Sequence, residues 1–252
     1  MLKVSNSPLI DGVLLTNNCT SPRNHKIDRI TPHYMGLYID AKTCCESFVP
    51  SVRRASANYC IGKDGEIWLN VYEENRAWTS GSAYNDNRAI TIECANYVDK
   101  NHIYGQLPDA TWESLVYLCA DICIRNHIGT LHYTGDDSGN LTKHCWYQDT
   151  DCPGPWFTNQ FERLAFEVNN VIFGNLVKDK TMEFIFRPDE ENRLIYCCGG
   201  TLHALSAPEE VTVIQEAYRK STGKEIPLIE LGRKNENWGK RFINALSTKR
   251  LL

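Results

Sequence analysis

Apolar positions along the chain follow two rhythms, and each change of rhythm marks an element. Residues 87–96 (NRAITIECAN) keep a period of two, with Ile90, Ile92 and Cys94 on one side and Thr91, Glu93 and Ala95 on the other, the pattern of a strand with two unlike faces. Residues 57–61 (ANYCI) and 66–71 (EIWLNV) flank Lys63-Asp64-Gly65 and predict a hairpin, because Asp-Gly accepts the positive φ of a tight turn. DRIT reads as a short strand that Pro32 ends, and residues 43–49 read as a short helix. A period near 3.6 takes over in 109–129, where Leu115, Leu118, Cys119 and Ile122 share a face, Thr111 offers a cap and Gly129 closes the helix. A second amphipathic helix is expected over 155–174, ending at Gly174. This irregular alternation predicts an α/β domain over residues 1–174, with a mixed central sheet flanked by helices.

After a polar connector at 175–181, the pattern restarts. MEFIFR, RLIYCC and TLHAL predict three strands, the last two joined at Gly199-Gly200. Ser206 and Glu209 form the expected capping box of a helix running to Thr222, with Val211, Ile214 and Tyr218 inward and Gly223 as its stop. IPLIEL and a last helix near WGKRFINAL complete a small α+β unit over 182–252.

Composition narrows the classes. With 42% hydrophobic and 23% charged residues and a net charge of −4, the chain is neither disordered nor a basic nucleic-acid binder. No stretch is long and apolar enough for a membrane span, and the first residues lack the apolar core and cleavage site of a secretory signal. The eleven cysteines, with no export signal, are expected as buried thiols in a reducing cytoplasm. The unit over 182–252 is nearly balanced in charge, so electrostatics do not point to its ligand.

The candidate chemistry centres on KHCWYQDTDCPGPWF, residues 143–157. Cys152 has three readings: a structural loop, a nucleophile and a metal ligand. A nucleophile wants a base and a helix N-terminus, yet the Pro-Gly-Pro after Cys152 supplies few amide donors for an oxyanion. A metal site wants a His/Cys set with one position left open. His144 shares the loop with Cys152, and His33 follows the strand DRIT.

Four segments, RITPHYM (29–35), ASANYCIGKDGEIWLNVYEENRAW (55–78), NDNRAITIECAN (85–96) and LTKHCWYQDTDCPGP (141–155), together resemble the zinc-dependent N-acetylmuramoyl-L-alanine amidases related to peptidoglycan recognition proteins and phage lysozyme-like amidases. The likeness covers about residues 25–172 and is strongest to members from Gram-positive bacteria and their phages. It implies a peptidoglycan recognition protein-like fold and hydrolysis of the bond between N-acetylmuramic acid and L-alanine. It implies Zn2+ held by His33, His144 and Cys152, Glu93 as general base and the Thr150 hydroxyl toward the oxyanion. The sequence departs from the pattern at Ala57 and Asn58, where phage members have Tyr, at Thr150, where they have Lys, and at Thr79, where many have His. Trp78, Tyr84 and Trp146 lie beside the motifs, either in a cleft or in the core.

Two rival readings remain: a peptidoglycan-binding module without catalysis, and a cysteine-dependent peptidase. By analogy with two-part endolysins, residues 182–252 are expected to bind a cell-wall polymer or to form a homo-oligomer. Met182 is a candidate internal start for a separate tail fragment. A phage or prophage endolysin without a leader would wait in the host cytoplasm until lysis and then act on the wall.

Overall fold

The computed structural model describes residues 6–178, 183–189, 191–198, 201–231, 239–240 and 243, with side chains described outside 173–178. The chain divides into two compact units, Met1–Ile172 and Phe173–Leu252.

The first unit contains β1 (Gly12–Val13), β2 (Cys19–Thr20), β3 (Arg29–Tyr34), α1 (Ala41–Phe48), β4 (Tyr59–Ile61), β5 (Ile67–Leu69), β6 (Arg76–Ala77), α2 (Ala83–Asp86), β7 (Ala89–Cys94), α3 (Asp109–Arg125), α4 (Pro155–Thr158) and the larger part of α5 (Phe161–Lys178). Five strands form a mixed sheet in the order β1-β5-β4-β7-β3, as the alternation predicts. β7 pairs in parallel with β3 and with β4, while β4 and β5 form the expected antiparallel hairpin. Ile30, Ile90, Ile92, Tyr59, Ile61 and Leu69 are buried; the pleat directs them to one face, over which α3 packs against β4 and β7. The opposite face is divided. Over β4 and β5, α1 buries Cys44, Cys45 and Phe48 against Ala57 and Cys60. The β3–β7 half of that face, which α2 meets through Asn85 at Thr31, carries His33 beside Glu93 in the parallel register.

Several expectations need correction. Pro32 does not end its strand; β3 continues through it to Tyr34. Ile30, which points the same way as Pro32, donates its N–H to Asn140 O (2.8 Å) on the outer side of β3. The missing N–H of Pro32 therefore lies on the edge that does not face β7, where proline is tolerated. Thr111 does not cap α3; its hydroxyl donates to Gly62 O (2.7 Å), and Pro108 occupies the cap position. The helix closes at Asn126, with His127 in the left-handed region (φ 54°), before Gly129 is reached. The helix expected over 155–174 is two helices broken at Asn159–Gln160, and α5 runs past Gly174 to Lys178. A glycine weakens a helix by about 1 kcal/mol, which does not by itself stop one. Residues 179–181 of the expected connector, together with Met182, lie outside the described residues.

The second unit contains β8 (Glu183–Pro188), β9 (Leu194–Cys198), β10 (Thr201–Leu205), α6 (Pro208–Thr222) and β11 (Leu228–Leu231), with its sheet ordered β10-β9-β8-β11. Phe184, Phe186, Ile195, Cys197 and Leu231 form its buried cluster. Val211, Ile214 and Tyr218 are half-buried rather than fully enclosed. The capping carboxylate is Glu210 rather than Glu209: it accepts from the N–H groups of Ser206 (2.5 Å) and Ala207 (3.2 Å). The Gly199-Gly200 turn and most of the last predicted helix lie outside the described residues. Among those residues no helix is long and apolar enough to cross a membrane.

One clamp fixes the chain before β7. The Arg23 guanidinium donates to the carbonyls of Glu73 (2.7 Å), Asn75 (2.9 Å), Asn87 (2.9 Å) and Ala89 (3.0 Å). Burial lowers its pKa to about 10, so it remains charged at neutral pH. Arg23→Ala leaves these carbonyls without their donor and should cost about 2–4 kcal/mol. Urea denaturation of the full chain measures it, and a loss below about 0.5 kcal/mol would refute the clamp.

Candidate metal centre

His33, His144 and Cys152 converge from two segments, and their donor atoms all lie within 4.8 Å of one another. His33 is near the end of β3 and is 1% exposed. Its Nδ1 is 3.4 Å from Cys152 Sγ, and its ring centroid is 4.8 Å from that of His144. The segment carrying His144 docks on the outer edge of β3: Ile30 N–H donates to Asn140 O, and Thr142 N–H donates to Ile30 O (3.0 Å). Lys143 is 7% exposed, with its ammonium over the rings of Tyr133 (5.4 Å), Trp146 (4.9 Å) and Phe161 (5.7 Å). That cation–π contact anchors the loop directly before His144. Cys145 N–H then donates to Cys152 O (3.1 Å), closing the loop so that Cys152 returns beside His33.

Gly154 permits this return. Its φ is +84°, and a Cβ there would lie 3.0 Å from the Tyr34 ring, so Pro-Gly-Pro serves a close backbone approach.

The donor set fits a metal ion of borderline softness. Two imidazoles and a thiol suit a tetrahedral centre, in which ligand atoms sit roughly 3.3–3.6 Å apart, and the His33–Cys152 distance falls in that range. His33 Nε2 is buried with no hydrogen-bond partner, so this imidazole is held by no second bond in the protein. Burial, followed by the neighbouring His144, pushes the His33 pKa well down and keeps the ring neutral, as a ligand must be. Burial first, and then the Glu93 charge, pushes the Cys152 thiol up. His144 Nε2 is 3.1 Å from Gln148 Oε1, a partner the sequence reading missed.

Glu93 lies beside His33 on the same sheet face. Burial raises its pKa to about 8, with Arg53 opposing the shift. Among the described residues no hydrogen bond or ion pair satisfies this carboxylate, so a structural salt bridge does not explain it. Thr150 is half-buried, and its Oγ1 accepts from Cys152 N–H (3.2 Å). That bond uses the oxygen as acceptor and leaves the hydroxyl proton free to donate.

The flanking aromatics divide. Trp78 lines a cavity of about 430 Å³ with Arg54, Arg76, Thr79 and Gln148. Tyr84 lines a second of about 320 Å³. Trp146 stacks on Tyr133 at 6.0 Å and belongs to the Lys143 cage. The remaining histidines have local roles: His102 stacks on Tyr97 and meets Asp99 at 3.0 Å, and His132 meets Thr130 at 2.8 Å. Among the described cysteines none is in a disulfide, and most are buried.

Among solved structures, the chain is similar to the catalytic domain of XlyA (13% identity, 62% of this chain and 98% of that one, TM-score 0.47). It is also similar to a selenomethionine derivative of AmpD (18%, 66% and 99%, 0.47) and to the PlyG catalytic domain (15%, 65% and 94%, 0.49). A search of curated proteins finds no match. The sequence profile of the family described as N-acetylmuramoyl-L-alanine amidase matches residues 23–155, a span that takes in His33, Glu93, His144 and Cys152. Because that match covers more than half of the chain, the protein belongs to the N-acetylmuramoyl-L-alanine amidase family.

Proposed function

We propose that this peptidoglycan amidase uses a zinc ion held by His33, His144 and Cys152, with Glu93 as its proton carrier. The observation that carries the reading is a three-donor cluster beside an otherwise unpartnered carboxylate, in the His33–Glu93 register of β3 and β7. A bound zinc supplies Lewis acidity toward the scissile carbonyl and toward water. Glu93 takes the proton of the attacking water and delivers it to the departing L-alanine nitrogen. A carboxyl with a pKa raised by burial suits both halves of that task. Thr150, whose oxygen is already engaged by Cys152 N–H, directs its hydroxyl proton to the developing oxyanion. The thiol-peptidase alternative requires a thiolate beside an imidazolium. Here two imidazoles rather than one share a cluster with Cys152, which speaks for the ligand role.

For residues 182–252 we propose binding to a cell-wall polymer, with homo-oligomerisation as the alternative. The unit has a hydrophobic cluster of its own, and all the residues assigned to chemistry lie in the first unit. The whole chain then works as an endolysin of a phage or prophage, held in the host cytoplasm until lysis. A tail fragment begun at Met182 belongs to the same proposal.

Digestion of Gram-positive peptidoglycan should release new L-alanine amino termini without new reducing sugars. Chelation should abolish that release and zinc should restore it; activity that survives complete metal removal would sink the zinc reading. Glu93→Gln should lower kcat by about 10²–10⁴ while the protein keeps stoichiometric zinc, whereas Cys152→Ser should lose the metal itself. Thr150→Ala should cost roughly 10²-fold in kcat and Thr150→Ser much less; equal losses would remove the hydroxyl from the mechanism. A chain ended after Lys178 should still cleave soluble muramyl peptides but no longer sediment with intact walls. Sedimentation unchanged by the truncation would refute wall binding, and light scattering of the two chains tests the oligomer.

A further inference from the structure

The cavity of about 430 Å³ lined by Arg54, Arg76, Trp78, Thr79 and Gln148 lies within the size range of small-molecule sites. It adjoins the metal centre, because Gln148 lines it and also contacts His144 Nε2. A second link is the 2.7 Å contact of Thr79 with Thr91, the neighbour of Glu93 two positions earlier on the same face of β7. Anything whose amide reached the centre would extend into this space.

Its charge is unbalanced. Among the described residues neither Arg54 nor Arg76 has an acidic partner within salt-bridge distance. Arg76 spends one Nη2 donor on Thr20 Oγ1 (2.8 Å), and its Nε is buried with no partner. Asp86 is the only acid in the lining; it is 3% exposed and feels the Arg76 charge, but its hydrogen bonds go elsewhere. Its Oδ1 accepts from Ser80 Oγ (2.6 Å) and its Oδ2 from Thr79 N–H (3.1 Å). What remains is a half-buried guanidinium whose one hydrogen bond among the described residues goes to Thr20 Oγ1, an exposed second guanidinium, and the Trp78 ring in the same lining. Guanidinium donors in a walled space suit a carboxylate, which accepts two parallel bonds.

We propose that Arg54 and Arg76 form a subsite for a carboxylate of the stem peptide, so that the enzyme prefers stems whose residue after L-alanine bears a free α-carboxylate over those bearing a carboxamide. This rests on the amidase reading, since the stem begins at the bond that is cut. The two arginines are specificity residues and take no part in the proton transfers.

The test uses the full-length zinc-loaded protein and two muramyl tripeptides that differ only in that carboxylate or carboxamide. The wild type should favour the acid by about tenfold or more in kcat/KM, chiefly through KM, as loss of a charge-assisted pair implies. Arg76→Gln, and more so Arg54→Gln with Arg76→Gln, should erase the preference by raising KM for the acid while leaving the carboxamide within about twofold, the mark of lost uniform binding. Equal losses on both substrates, or a preference unchanged in the double variant, overturns the subsite. Calorimetric binding of the acid tripeptide to the Glu93→Gln protein separates the two proposals. Arginine-dependent binding without cleavage by the wild type would sink the amidase mechanism and keep the subsite; cleavage of both tripeptides without arginine dependence would do the reverse.

Discussion

The site depends on the parallel pairing of β3 with β7 and on its register. His33 stands opposite Glu93 and Thr31 opposite Thr91, and paired residues share a face of the sheet. A slip of one residue would send either His33 or Glu93 into the apolar side with Ile90 and Ile92, so the hydrophobic set that fills the core also fixes the polar set above it. β3 has β7 on one side only. Its outer edge is closed by the segment 140–142 through the Ile30–Leu141 bridge, and that closure delivers His144. Backbone pairing on the two edges of one strand thus assembles all three donors.

Beneath the donors lies a polar layer that is almost entirely satisfied. Thr31 meets Thr142 at 2.8 Å, Asn85 Nδ2 donates to Thr31 Oγ1 at 3.0 Å, and Thr79 meets Thr91 at 2.7 Å. Such groups cost little when paired and about 1–3 kcal/mol each when left alone. Glu93, half-buried on the same face, has no hydrogen bond or ion pair among the described residues, and there an external ligand would supply the missing interaction.

How far the sequence could be read follows from how local each cause is. The alternation around Ile90 and Ile92 showed β7, and the Asp-Gly turn showed the hairpin, because period and turn chemistry are properties of a few neighbouring residues. The spacing of His144 and Cys152, with Pro-Gly-Pro against an oxyanion site, favoured a ligand over a nucleophile, and the resemblance strengthened that choice. Features set by distant partners were hidden. Pro32 read as a stop because nothing in DRIT says that β3 lies at an edge. Thr111 read as a cap because its true partner, Gly62, lies on another element. Gln148, four residues beyond His144, and Lys143 under Tyr133 and Phe161 had no signal of their own; each acquires its role only when the loop has closed.

Net charge illustrates the same limit at the level of binding. A total of −4 reads as indifferent or unfavourable to an acidic ligand, yet exposed charges more than about 8–10 Å apart are largely screened at physiological salt. What a ligand meets is the local field, focused by low-dielectric walls. That local field includes three arginines: Arg53 lies near Glu93, and Arg54 and Arg76 line the adjoining cavity. On the proposed reading chemistry and recognition are separable: the sheet face would set the reacting atoms, and the arginines at its border would select the stem peptide.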